Sequence, residues 1–306
     1  MPGDGESISI VLLSYNRPRY LERALASIAA QSVRPSEVLV VDNRSAASEE
    51  IARIVGAHRS FKLIANPANT GFTGGMNIGI RRATEPYIYL TEDDVVLEAN
   101  CLASFADHSA RSPAVGLLSG ILIDDERDTI LSAGGSVRVG RVYRQEIIAQ
   151  GERSGAAPTA PYDVDYVPGA MVFGHRDVWK RLGGFREDFF AYGEDVDLCL
   201  RARRAGYRIT IVPGARARHL PGAGAPSATV EYHKLKNFLA LYLLHAPVWV
   251  LPEFLLRYVV LWSVRAGSQG KRRLMWRAAV WNARHLIGLL ADRGRIRPSV
   301  VNQASS

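Results

Sequence analysis

Three carboxylates fall within four residues in the stretch Phe189-Phe190-Ala191-Tyr192-Gly193-Glu194-Asp195-Val196-Asp197-Leu198. Beyond them Leu198, Ala202 and Ala205 recur at helical spacing, which predicts a helix with Arg201, Arg203 and Arg204 facing outward. Glu194 and Asp195 then sit at or just inside its first turn, where the helix dipole favours an ionised carboxylate. A carboxylate of that kind, held at a cleft, can act as a general base.

A second acidic cluster, Glu92-Asp93-Asp94, follows the apolar run Tyr87–Leu90 directly. Carboxylates at a strand end suit a hard divalent cation such as Mg²⁺ or Mn²⁺, which commonly binds through one or two carboxylates plus phosphate oxygens. An isolated acidic triplet is more often a solvated turn. Here Val95-Val96-Leu97 follows at once and ties the triplet to the core. Asp42 ends another apolar strand; it reads either as a turn aspartate or as an acceptor for a nucleotide base or ribose. Asn69-Thr70-Gly71-Phe72-Thr73-Gly74-Gly75-Met76-Asn77 offers glycines for close backbone approach and a helix N-terminus able to meet phosphate. It lacks the GxGxxG spacing of a dinucleotide site. His219 alone is a surface or core histidine more often than a ligand, but beside a cation held by carboxylates an imidazole can complete the shell.

The elements that must carry these groups alternate. Strands are expected at Ser7–Ser14, Glu37–Asp42, Phe61–Ala65, Tyr87–Leu90, Val115–Ile123, Val164–Phe173 and Tyr207–Val212. Helices are expected from Pro18 through Ile28 and over Gly74–Thr84, Leu102–Ser112, Arg176–Leu182 and the opening acidic motif, and from Lys234 onward. Thr129–Pro161 reads as irregular or hairpin. The pattern predicts an α/β fold with a parallel, doubly wound half. The polar groups Ser14-Tyr15-Asn16, Asp42-Asn43, Asn66 to Asn69 and Glu92 to Asp94 all follow strand ends, where open α/β sheets bind ligands.

Composition sets the outer bounds. The 306 residues, 47% hydrophobic and 22% charged, suit one large domain with an appendage. Residues 1–225 are read as the catalytic unit and 226–306 as a basic, apolar helical segment. Cys101 and Cys199 make neither a disulfide framework nor a metal motif and are expected to be buried thiols. The acidic start, running straight into a strand, predicts no secretory signal and hence a cytoplasmic location. Net charge is +8, and Arg257, Arg265, Lys271, Arg272, Arg273, Arg277, Arg284, Arg293, Arg295 and Arg297 crowd the C-terminal part. Aromatic and aliphatic residues interleave with them, a mix suited to a membrane surface and not to a nucleic-acid partner. Phe238–Val264 is interrupted by Pro247, Pro252, Glu253 and Arg257, so interfacial or packed helices are expected, not a spanning one. Peripheral placement on the inner face of the plasma membrane follows as an expectation.

Six motifs in order resemble an inverting family-2 glycosyltransferase of the GT-A fold, in its rhamnosyltransferase-like and galactofuranosyltransferase-like branch. They are Val11–Pro18 (VLLSYNRP), Val40–Asn43, Asn69–Asn77, Tyr166-Val167-Pro168-Gly169-Ala170, Gly183-Gly184-Phe185 and Tyr192–Leu198. The resemblance spans about Ile8 to Leu220. It implies a Rossmann-like nucleotide-binding half with a mixed central sheet, followed by the C-terminal helical appendage. It implies a nucleotide-diphosphate sugar donor, UDP- or dTDP-linked, and a glycan or lipid-linked acceptor. By the same resemblance Ser14, Tyr15, Asn16, Asp42, Asn69, Gly71, Gly74 and Asp93 belong to the nucleotide-sugar pocket. Glu92 and Asp94 take the outer positions of the family's DxD metal motif, the first being a departure, and His219 joins the cation. Asp195 is the base, with Glu194 and Asp197 in support, while Trp179 and Gly169 are expected at the acceptor side. Three alternatives are weighed beside this: a soluble natural-product acceptor, a sugar nucleotidyltransferase, and a non-catalytic binding homologue. The second wants a glycine-rich, basic loop after the first strand, where this chain has Ser14-Tyr15-Asn16-Arg17-Pro18. Loss of the base would mark the third, and Asp195 is present.

Overall fold

Apolar β-branched runs make the centre of the sheet. The computed structural model describes residues 7–112, 115–220, 227–258 and 269–293. In the first half β1 (Ile8–Ser14), α1 (Pro18–Ala29), β2 (Glu37–Asp42), α2 (Ser48–Gly56), β3 (Phe61–Ala65), α3 (Gly71–Arg82) and β4 (Tyr87–Glu92) form successive βαβ units. Every residue of β1 and β2 is buried, as strands covered on both faces must be. There follow β5 (Val95–Leu97), α4 (Cys101–Arg111), β6 (Val115–Asp124), β7 (Thr129–Ser132), and a separate hairpin of β8 (Gly135–Val139) and β9 (Tyr143–Ile147). The second half adds β10 (Tyr162–Val164), β11 (Met171–His175), α5 (Arg176–Leu182), α6 (Glu194–Arg204) and β12 (Arg208–His219). Among the described residues the C-terminal part holds α7 (Ala228–His245), α8 (Leu251–Leu256), α9 (Gln269–Arg284) and α10 (Leu286–Asp292).

The main sheet runs β10-β12-β6-β11-β4-β1-β2-β3, with β5 on β12 and β7 on β6. Strands β3, β2, β1 and β4 are parallel; β11 enters antiparallel between β4 and β6, which makes the sheet mixed, as expected. The polar ends of β1, β2 and β4 therefore emerge along one edge.

Several boundaries differ from the sequence reading, each for a local reason. Val164–Phe173 is not one strand: Pro168 removes a ladder donor, and the chain loops from Asp165 to Ala170 between β10 and β11. Strand β12 continues past Val212 to His219, absorbing Pro213 and Gly214 in a register break between Ile211 and Arg216. Helix α3 starts at Gly71, three residues early, and α2 was not expected. Arg201 does not face outward. It is buried, with its guanidinium on Asp197 Oδ2 at 2.7 Å and on the carbonyls of Leu182 and Gly184.

Both cysteines are free and buried. Among the described residues no helix is long and apolar enough to cross a membrane, although residues 259–264 of the interrupted apolar run lie outside that description. Leu239, Leu241, Leu243 and Leu244 of α7 share one buried core with Val11, Leu13 and Val41 of the central strands. Helix α7 thus packs into the same core as the central strands.

Candidate active site

The edge where the strands end opens into a cleft of about 640 Å³. Its walls include Glu92 and Asp94 from the end of β4, Asn69 and Gly71 at the start of α3, Glu194 at the start of α6, and His219 at the end of β12. The two acidic clusters, a hundred residues apart in sequence, face one space.

Asp93 turns the other way. Buried beneath β1, it accepts bonds from the Ser14 hydroxyl (2.9 Å) and the Tyr15 amide (3.1 Å), and lies 3.4 Å from Arg17 Nε. Burial pushes its carboxyl up to about 6, against the pull of Arg17. Ser14 and Asp93 thus brace the loop after β1 and do not line the cleft, a correction to their expected place in the nucleotide pocket. Asn16 is likewise a loop former: with φ 58°, it accepts from the Ala46 amide while its own amide donates to Ser45 Oγ. Asp42 is buried and accepts the Ser45 amide at 3.0 Å, the turn role that was its plainer reading. Tyr15, exposed, does line the cleft.

Asn69 and Gly71 also line the cleft, held by an asparagine network. Asn43 Nδ2 donates to Asn69 Oδ1 (3.1 Å) and to the Gly71 carbonyl (2.9 Å), and Asn43 Oδ1 accepts from Asn66 and Thr70. Gly71 needs to be glycine: its φ is +72°, and a Cβ would lie 2.3 Å from the Phe190 carbonyl oxygen. Gly74 does not reach the cleft. A Cβ there would strike Thr70, so this glycine serves packing of the first helical turn.

At the other acidic site, Arg17 is ion-paired with Asp94, and His219 Nε2 stands 3.7 Å from Asp94 Oδ2. Asp94 Oδ1 is buried with no hydrogen-bond partner. Burial and the neighbouring Asp94 charge push Glu92 up to about 8. Among the described residues no three His, Cys, Asp or Glu groups stand in an arrangement ready to hold a metal. The expected Glu92/Asp94/His219 set is therefore gathered on one wall but not closed, with Arg17 supplying the counter-charge. Arg17 was quoted in the sequence motif without a role; its place two residues after an exposed strand-end tyrosine was the available signal.

Asp195 is half-buried at the first turn of α6. The Tyr166 hydroxyl donates to its Oδ2 at 2.6 Å, and the Val196 amide to its Oδ1 at 2.8 Å. Gly169 lies between Phe72 and Asp195, where a Cβ would sit 3.1 Å from the Phe72 ring and 3.7 Å from Asp195 Cβ. Burial raises the Asp195 carboxyl, and the tyrosine bond opposes that rise. Glu194, buried with Oε2 unpartnered, is raised well above the ordinary range by burial and by Asp195. Burial thus outweighs the helix dipole at both residues. Asp197 belongs to a different structure. Fully buried and away from the cleft, it bonds Arg201 and, at 2.7 Å, His245 Nε2 at the end of α7. Trp179 is wholly buried, tilted against Phe185, and so packs the core and does not wall an acceptor site.

The loop entering α6 is strained. Phe190 and Tyr192 both have positive φ, 68° and 72°, which non-glycine residues adopt only at a cost of order 1–3 kcal/mol. Sequence reasoning missed what holds it. Asn237 of α7 places its side-chain amide 2.6–3.0 Å from the carbonyls of Phe189, Ala191 and Tyr192. Thr73 of α3 donates its amide to the Phe190 carbonyl from the opposite side. Thr229, Val230 and His233 of α7 complete the cleft wall, His233 stacking on Phe190 at 4.7 Å.

An α/β sheet of this order, with acidic groups from β4 and α6 lining one cleft, is a GT-A arrangement. Residues 5–237 match the family model described as glycosyltransferase like family 2, and the chain belongs to that family of glycosyltransferases. It is 26% identical over 313 residues to the N-acetylglucosaminyl-diphospho-decaprenol L-rhamnosyltransferase of Mycobacterium tuberculosis, covering 90% of this chain and 95% of that one. It is 24% identical over 225 residues to the rhamnosyltransferase WbbL of Escherichia coli, 69% of this chain and 83% of that protein. Among solved structures, GalNAc-T7 with UDP, GalNAc and Mn²⁺ superposes with a TM-score of 0.67 at 14% identity. That match covers 95% of this chain and 59% of the other, and it shows the fold alone.

Proposed function

We propose that this protein transfers a sugar from a dTDP- or UDP-linked donor to a hydroxyl of a lipid-linked glycan, with inversion at the anomeric carbon. L-rhamnose is the first candidate sugar, supported by the two rhamnosyltransferase relatives. The observation that carries the reading is the cleft itself, walled by Glu92, Asp94 and His219 on one side and Glu194, beside Asp195, on the other. A displacement at a sugar carbon has two ends, and each cluster serves one of them.

Asp195 takes the proton from the acceptor hydroxyl as that oxygen attacks. A carboxyl raised by burial is a better proton acceptor than an exposed one, and Tyr166 fixes its orientation. Gly169, lacking a side chain, lets the Phe72 ring pack close beside Asp195. Asn69 and Gly71, which line the cleft, meet the nucleotide. Arg17 offers positive charge beside the acidic wall for the departing diphosphate.

The donor set on that wall fits a hard divalent cation: Asp94 Oδ1 is a buried acceptor without a partner, His219 is adjacent, and Glu92 is crowded by like charge. Asp94, Glu92 and His219 would hold Mg²⁺ or Mn²⁺, which when bound neutralises charge on the diphosphate leaving group. The solved neighbour holding UDP and Mn²⁺ supports this choice. The test is a panel of nucleotide sugars with Mn²⁺ or Mg²⁺, scored by thermal shift and by transfer to a lipid-diphosphate-linked acetylhexosamine. Stabilisation by a dTDP- or UDP-sugar and an inverted linkage are expected; a retained linkage, or response only to a donor of another base, contradicts the reading.

A further inference from the structure

Helices α9 and α10 present two different faces. Met275, Ala278, Asn282 and Leu289 are buried, and they face α7: Asn282 Nδ2 donates to the Lys236 carbonyl at 3.0 Å, and Met275 and Ala278 pack on Leu235. On the other side Arg273, Trp276, Val280, Arg284 and Ile287 follow one another at steps of three and four residues, which sets them along one helical stripe. All five are exposed, Trp276 at 59% and Ile287 at 85%. From 269 to 291 the chain has five lysines and arginines and no aspartate or glutamate.

We infer that this outer stripe of α9 and α10 is a docking surface for an anionic lipid bilayer, with Trp276, Val280 and Ile287 entering the interface and the arginines meeting headgroup phosphates. Aliphatic tips flanked by cations on a helix lying along the protein surface are the pattern of an interfacial helix, whose apolar side chains need hydrocarbon and whose charges need anions. A nucleic acid would answer the arginines but leave Val280 and Ile287 in water. A second copy of the same face would set like charges against each other across a two-fold axis.

The location gives the surface a use. Arg277 lies over the Tyr232 ring at 4.8 Å, and Tyr232 packs edge-on to His233, which lines the cleft. Helices α9 and α7 run parallel, Arg277 beside Tyr232 and Asn282 beside Lys236, so the stripe begins next to the cleft wall. A bilayer held there brings a lipid-anchored acceptor to the catalytic edge without the chain having to span the membrane. This deepens the lipid-linked-acceptor reading and rests on it for its purpose, but not for its test.

The test is flotation of the full chain, without donor or acceptor, on vesicles of phosphatidylglycerol and phosphatidylcholine in equal parts, and on phosphatidylcholine alone. Binding to the anionic vesicles alone is expected. R273Q/R284Q should lower the partition coefficient about fivefold for each cation removed, the equivalent of ~1 kcal/mol near an anionic leaflet. W276S/I287S should also lose flotation while keeping the parent melting temperature, since both side chains are exposed. Failure to float, equal flotation on neutral vesicles, or undiminished flotation of both variants overturns the inference. So does a dimer, seen by light scattering, that W276S/I287S dissociates while flotation persists. Flotation together with inactivity on every lipid-linked acceptor would leave the surface standing and reject the acceptor class instead.

Discussion

The Tyr166 hydroxyl and Asp195 Oδ2 share a hydrogen bond of 2.6 Å across the mouth of α6. Tyr166 comes from the loop between β10 and β11, Asp195 from the helix that follows the strained Phe190–Gly193 turn, so two separately built segments fix one carboxyl. The bond favours the ionised carboxylate, while burial favours the neutral acid and prevails. The outcome is a carboxyl oriented by one neighbour and made more basic by its surroundings.

That balance has a pH signature. As the proposed base Asp195 must be ionised to accept a proton, so kcat/KM should fall as pH drops through its pKa, which lies above the ordinary aspartate value. Tyr166→Phe removes a donor to the charged form, which raises that pKa further. A hydrogen bond to a charged group contributes about 1.5–3 kcal/mol, so the acid limb should move measurably upward. A limb that stays put or moves down contradicts the role given to Tyr166.

Asn237 tests whether the C-terminal helices belong to the catalytic unit. Its amide holds the carbonyls of the positive-φ loop that delivers Glu194 and Asp195. Asn237→Ala should cost about 1–3 kcal/mol of stability through unpaired buried carbonyls. It should also lower kcat more than donor affinity, because the loop leads directly into the turn of α6 that carries Asp195. Steady-state kinetics beside calorimetry with the donor separates these; a change in melting temperature with kcat intact would make Asn237 a packing residue only.

Asp197 is a structural carboxylate. Burial alone would raise it, but Arg201 and His245 together hold it well below the usual range. A depressed folded-state pKa contributes stability that is present above the unfolded value near 4 and is lost as pH falls below it. Asp197→Asn should destabilise by ~3–5 kcal/mol at neutral pH, since it leaves Arg201 buried without its partner. Melts from neutral to acid pH should show the gap between parent and variant narrowing toward acid. A constant gap would mean that the carboxylate charge is not the source.

Much of this was legible before any coordinates. Glu37–Asp42, Phe61–Ala65 and Arg176–Leu182 have the expected bounds because apolar runs and turn residues mark them without ambiguity. Glu92, Asp94, His219 and Glu194 meet at one cleft, and Asp195 stands beside it, because strand ends in such a sheet converge. What failed was the direction of individual side chains. Adjacent acids alternate between cleft and interior, so Asp93 supports the β1 loop where Glu92 and Asp94 do not, and no spacing rule says which is which. Arg201 looked like a surface cation because its burial depends on Asp197, on the Leu182 and Gly184 carbonyls, and on His245 more than forty residues later. Trp179 could have walled the acceptor site on pattern alone; only the packing of Phe185 and β11 closes it in.

The cation proposed at Glu92 and Asp94 makes a prediction of its own. Stripping divalent ions with chelator should abolish transfer, and Mn²⁺ or Mg²⁺ should restore it. Full turnover in excess chelator would instead leave Arg17 as the charge that serves the diphosphate, and Arg17→Ala would then be the inactivating change.

In the proposed reaction Asp195, and not Glu194, is the base. The direct measurement compares Asp195→Asn and Glu194→Gln in single-turnover transfer, with donor affinity determined by calorimetry on the same samples. Asp195→Asn should lose about 10²–10⁴ in rate with donor affinity nearly unchanged, because a general base acts on the acceptor alone; Glu194→Gln should retain more. A Glu194→Gln enzyme that is inactive beside an active Asp195→Asn, or an equal loss of donor affinity and rate in Asp195→Asn, would contradict the account.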